Sequence, residues 1–114
     1  MNVRDEFHVD SFSSDDHTLT IRIAGDLDVD NAQAVIDELN CWLAVRSLVV
    51  DLRQCDFCDS TGIRALLECR HDIGPDATMR IEGAPEHVER VLRIAGVEEA
   101  GVTLANASGE SAPG

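Results

Sequence analysis

Apolar residues along this chain switch between two periods, and the switches mark its elements. Thr18-Leu19-Thr20-Ile21-Arg22-Ile23-Ala24 alternates strictly, with Leu19, Ile21 and Ile23 on one side. A period of two is the pattern of a half-buried strand. Glu6 to Ser11 alternates more loosely, with Phe7 and Val9 on one face. It predicts an edge strand that pairs with the next through a turn at Ser13-Ser14-Asp15-Asp16-His17. Gly25-Asp26-Leu27-Asp28 breaks the alternation. Ala32, Val35, Ile36, Leu39 and Leu43 then recur at intervals of three and four, which predicts a helix over 31–44 with one buried stripe. Asp28 or Asp30 can cap it, with Gln33 three residues after Asp30 as in a capping box.

Ser47 to Leu52 is a short β-branched run and reads as a buried strand. Ile63, Leu66, Leu67 and Ile73 restore the helical period, and Gly74-Pro75 stops it. Thr78 to Gly83 predicts another strand. Pro85 suits the first turn of a further helix, with Val88, Val91, Leu92 and Ala95 inward and the pairs Glu86–Arg90 and Glu89–Arg93 outward. Gly96 ends it, and Val97 to Leu104 supplies a last short strand. Residues 1–5 read as a frayed terminus, 6–104 as one domain, and 105–114 as a disordered tail of small polar residues. An opening hairpin followed by alternating strands and helices implies an α/β fold with crossover connections and a mixed sheet.

Composition narrows the function. The chain has 114 residues, 44% of them apolar, enough for one core. Its net charge of −13 argues against nucleic acid and against anionic membranes, and favours a partner with a positive face. The first residues have no apolar leader, and no apolar run approaches the ~18 residues of a membrane helix. The expectation is a cytoplasmic protein with no membrane insertion, whose four cysteines are reduced.

Candidate chemistry concentrates after the central strand. Ser60 stands at the mouth of a helix, with Asp59 before it and Thr61-Gly62 behind it. Backbone N–H groups and the positive end of the helix dipole converge there, so a hydroxyl at this place could carry a phosphate; from these residues alone a plain cap is the simpler reading. Cys55 and Cys58 have the gap of a zinc half-site or a redox pair. A second cysteine pair is missing, and Cys69 lies deep in the helix, so small buried thiols are the simpler reading. Asp26, Asp28 and Asp30 alternate on a loop without the glycine and later glutamate of a calcium loop, and read as capping or solvated carboxylates. Asp56 and Asp59 are turn residues or partner-steering charges. The four histidines share no spacing and receive no role. No nucleophile elbow, phosphate loop or zinc-protease motif is present, so an enzyme has little support and no cofactor or metal is expected.

Three segments taken together resemble the STAS family, and within it the bacterial anti-sigma factor antagonists. They are Gly25-Asp26-Leu27-Asp28, Val50-Asp51-Leu52 through Phe57-Cys58-Asp59-Ser60-Thr61-Gly62-Ile63, and Pro85 to Val97. The resemblance covers roughly 6–104. It implies a small mixed sheet of four to five strands with helices mainly on one face. It also implies a non-catalytic module that binds an anti-sigma factor with serine kinase activity and so releases a sigma factor. The kinase would switch the module off by phosphorylating Ser60, and a metal-dependent Ser/Thr phosphatase would reverse this. Asp26, Asp28, Asp59, Thr61 and Gly62 are then the expected partner-contact residues. The alternatives are a phosphate-independent scaffold or transporter subunit of the same family, and a thiol redox protein using Cys55 and Cys58. The chain departs from the family pattern at Cys58, where a larger aliphatic residue or Met is usual, and at Cys55 in the connecting run.

Overall fold

The computed structural model describes residues 7–14 and 17–105. Five strands and three helices follow in the order β1 (His8–Ser14), β2 (Thr18–Leu27), α1 (Ala32–Leu39), β3 (Ser47–Cys58), α2 (Ser60–Ile73), β4 (Thr78–Glu82), α3 (Glu86–Ile94) and β5 (Val102–Ala105). The strands lie side by side in sequence order. The β1–β2 pair is antiparallel and the other three pairs are parallel. This is the mixed α/β sheet the pattern implied. The frayed terminus expected at 1–5 and the tail from 106 fall outside the described residues, whereas Ala105, placed with that tail, is the buried end of β5.

Alternation decides which face is covered. Leu19, Ile21, Ile23, Leu48, Val50, Leu52, Met79, Ile81, Val102 and Leu104 point to one side and are buried with Val35, Leu39, Leu66, Val88 and Leu92 from the helices. The other face carries Thr20, Arg22, Val49, Asp51, Arg80 and Glu82. Register lines up Asp10, Arg22, Asp51 and Glu82 across four strands, and ion pairs form from Arg22 to Asp10 (3.4 Å), Arg53 to Asp51 (3.0 Å) and Arg80 to Glu82 (2.9 Å). A polar ladder of this kind keeps a helix-free face in water at little net energy.

Three expectations need correction. The first helix ends at Leu39, one turn early, and Leu43 is 91% exposed rather than in the buried stripe. Its loop instead folds Trp42 back, so that the indole N–H donates to the Ser11 hydroxyl (2.8 Å). The capping box does not form: the Asp28 carboxylate accepts from the Asp30 and Asn31 nitrogens, and Gln33 bonds Asp37. On α3 only Val88 and Leu92 are buried, while Val91 and Ala95 face outward.

The strands also run further than expected. Gly25 does not end β2; with φ 95° it sits within the strand, which continues to Leu27. β3 reaches Cys58, twelve residues in all. Its register against β2 slips twice, between Arg22 and Ala24 and between Gly25 and Asp26. Each slip is a bulge that puts two β3 residues against one, so inward positions become Leu52, Cys55 and Cys58, with Arg53, Gln54, Asp56 and Phe57 outward.

Candidate functional site: the turn from β3 into α2

The second bulge builds the site. It holds Cys55 and Cys58 inward and leaves Phe57 49% exposed. The chain then turns at Asp59, whose backbone N–H donates to the Leu27 carbonyl (3.1 Å). Leu27 lies between Asp26 and Asp28, so this bond brings both carboxylate-bearing residues of the β2 end to the turn. Asn31 ties the same corner, donating from its side-chain amide to the Asp26 carbonyl (2.7 Å).

The helix cap is Asp59, not Ser60. Asp59 is extended (φ −97°), and its carboxylate accepts from the Gly62 N–H at 3.0 Å. Ser60 is therefore the first helical residue. It is exposed, and its hydroxyl makes no hydrogen bond among the described residues. The next backbone donor, Ile63 N–H, reaches the Asp59 carbonyl (2.9 Å). That leaves the Ser60 and Thr61 N–H groups as the donors of the first turn without intrahelical acceptors. An anion on the Ser60 oxygen would meet these groups and the helix dipole.

Gly62 was expected at the contact surface and is instead buried. A Cβ there would lie 2.5 Å from the Leu27 carbonyl oxygen and 2.8 Å from Leu27 Cγ. Its role is to let α2 close onto the end of β2. Of the other expected contact residues, Asp26, Asp28, Asp59 and Thr61 are all half-buried around the exposed Ser60.

Sequence reasoning missed three residues. Phe57 lies beyond the predicted strand, which stops at Leu52, and carries no assigned role there; the period of three from Cys55 to Cys58 is the available sign of a bulge. Val29, in the loop after β2, is 70% exposed. His87, at the head of α3, has its Nε2 2.6 Å from the Asp56 carbonyl oxygen, and on the tautomer protonated there it donates to that oxygen. It ties α3 to the strand end that carries the turn.

The cysteines behave as core residues, with one exception. Cys55, Cys58 and Cys69 are buried, but Cys41 is exposed. Burial pushes Cys58 and Cys69 up to about 12 and raises Cys55 as well. These thiols stay protonated and are poor nucleophiles. A groove of about 430 Å³, lined by residues including His8, Asp10, Arg22, Asp51 and Arg53, lies on the helix-free face. Ser60, by contrast, stands on an exposed helix end, a shape for a macromolecular partner rather than a small ligand.

Residues 11–105 match the family model described as "Mlab, STAS domain", and the chain belongs to the STAS family. Solved structures agree in fold. An anti-sigma factor antagonist from Mycobacterium paratuberculosis superposes with a TM-score of 0.78 at 17% identity, covering 91% of this chain and 89% of its own. The Bacillus cell fate determinant SpoIIAA in its phosphorylated form gives 0.64 at 17% identity, covering 89% and 94%. The murine Solute Carrier 26 family member A9 anion transporter gives 0.61 at 15% identity, covering 84% of this chain but 16% of the transporter. No curated protein matches the sequence. Among the described residues no helix is long and apolar enough to cross a membrane.

Proposed function

We propose that this STAS protein is an anti-sigma factor antagonist: it binds an anti-sigma factor that is also a serine kinase, and phosphorylation of Ser60 by that partner turns binding off. The observation that carries the reading is the Ser60 hydroxyl itself. It is exposed and unbonded, because Asp59 has taken over the capping role a serine at this place would otherwise fill. It is thus free to enter a kinase active site without dismantling the helix start. One of the solved likenesses is an anti-sigma factor antagonist by name, and another is a phosphorylated form. The module in this reading is a substrate and a binding surface, not a catalyst, and a metal-dependent phosphatase resets it.

The switch works by charge. A phosphate adds about −1.5 to −2 charges at pH 7. The fold tolerates it, since the helix N-terminus favours an anion by about 0.3–1 kcal/mol. A partner surface fitted to a neutral hydroxyl among Asp26, Asp28 and Asp59 does not, because a desolvated like charge costs several kcal/mol. A penalty of about 4 kcal/mol lowers affinity roughly a thousandfold.

The test is to incubate the purified protein with labelled ATP and extract from its native source, and to map the phosphopeptides. Label on Ser60 that disappears in Ser60→Ala is the expected result. Absence of label beside an active kinase control overturns the reading and favours a phosphate-independent scaffold. Ser60→Asp should keep the wild-type melting temperature while losing capture of the kinase; a large drop in Tm would refute a switch by charge alone.

A further inference from the structure

α3 has an outer stripe that packing leaves bare. His87, Val91 and Ile94 recur at intervals of four and three and share about 60° of helix arc. Val91 is half-exposed and Ile94 is 81% exposed, while Val88 and Leu92 on the adjoining face are buried. The stripe is joined to the Ser60 turn, since His87 contacts the carbonyl of Asp56, the residue before exposed Phe57. The head of α3 therefore lies against the end of β3 that carries the Ser60 turn. Single exposed apolar side chains are ordinary. Here two lie in line on a nine-residue helix whose other exposed positions include Glu86, Arg90 and Arg93.

We infer that the docking surface for the kinase proposed above does not stop at the Ser60 turn but continues along α3, with Phe57, Val91 and Ile94 as apolar anchors. This rests on the Ser60 reading. Charge specifies the occupant. Asp26, Asp28, Asp30, Asp56 and Asp59 belong to the strand ends at and around the turn, and Glu86, at the head of α3, pairs with Arg90 at 3.9 Å. The fitting partner presents an apolar groove bordered by Arg or Lys. A second copy of this chain is a poor occupant: it would bring a net charge of −13 and the same acidic ends against themselves. The helix lengthens the footprint by about 13 Å, at 1.5 Å per residue, and His87 ties the head of α3 to the strand end that carries the turn.

The test compares initial rates of Ser60 labelling by the native-source extract, at limiting protein, for wild type, Ile94→Asp, Ile94→Ser and Leu43→Asp, each with its melting curve. Leu43 is the control, an exposed apolar residue in the loop between α1 and β3, at the strand's other end. Tenfold or greater slowing in Ile94→Asp, a smaller loss in Ile94→Ser and a wild-type rate in Leu43→Asp, with all four folded, is the expected result. Equal rates for all four overturn the extended footprint and leave Ser60 as the switch. Equal slowing in Leu43→Asp also overturns it, because added charge anywhere would then suffice. No label on wild type removes the Ser60 reading, and the footprint with it.

Discussion

Gly62 shows how one missing side chain sets the geometry of the switch. The first turn of α2 can approach the Leu27 carbonyl only because no Cβ intervenes. That approach lets the Asp59 N–H reach the same carbonyl and lets the Asp59 carboxylate reach the Gly62 N–H. Gly62→Ala inserts a methyl group at 2.5 Å from backbone, which cannot rotate away. The expected cost is about 1–3 kcal/mol, as for overpacking elsewhere, read as a lower urea midpoint with an unchanged m value. The methyl group would also displace the cap, so labelling of Ser60 should fall more than the loss of folded protein explains. The Asp-Ser-Thr-Gly run made Ser60 and Asp59 legible as a helix start. What it could not disclose was the division of labour between them, since either side chain can cap and only backbone dihedrals decide.

At the scale of elements, strict periods were readable and interrupted ones were not. Leu19, Ile21 and Ile23 gave the first part of β2, because strict alternation matches the pleat, and Gly74-Pro75 gave the end of α2. β3 was legible only to Leu52. Beyond it the two bulges replace alternation with a spacing of three, Leu52, Cys55, Cys58, which imitates neither strand nor loop. The exposed Phe57 and the strand's full reach were hidden for that reason. α1 failed in the other direction. Leu43 continues the helical spacing perfectly, but the helix stops at Leu39 and the following loop turns Trp42 back to Ser11 on β1. Leu43→Asp should therefore leave stability within about 0.5 kcal/mol of wild type, as at other exposed positions. Leu39→Ala, in the true last turn, should cost about 2–5 kcal/mol. Urea denaturation of the two variants side by side checks where the helix ends; a comparable loss in both would restore the longer one.

Composition acts on the whole molecule through what the chain lacks. It has no lysine and no tyrosine, and arginine keeps its proton throughout the accessible range. Between about pH 9 and about pH 12, then, thiols are the side chains that titrate. Unfolded, they ionise near 9.0; folded, burial holds Cys58 and Cys69 up to about 12 and raises Cys55. In that window the unfolded chain binds fewer protons than the folded one, so stability falls as pH rises; below about 9 the contribution is fully present. Urea midpoints taken from about pH 8 to about pH 11 should decline, and the decline should flatten in a Cys58→Ala, Cys69→Ala double variant. An unchanged slope in that variant would show that the thiols are not the groups responsible.

The order of the sheet carries a consequence for how the protein is made. Because every strand pairs with the one preceding it in sequence, a chain emerging from the ribosome never holds a strand whose neighbour has yet to be translated on its inner side. β1 and β2 can close as a hairpin, and β3, β4 and β5 can then each dock on an edge already formed, with its own crossover helix arriving just ahead of it. Growth is by accretion at one edge. A truncated product would end on a bare parallel edge, the surface on which unfinished sheets aggregate, and β5, four residues long, is the short strand that brings that growth to a stop.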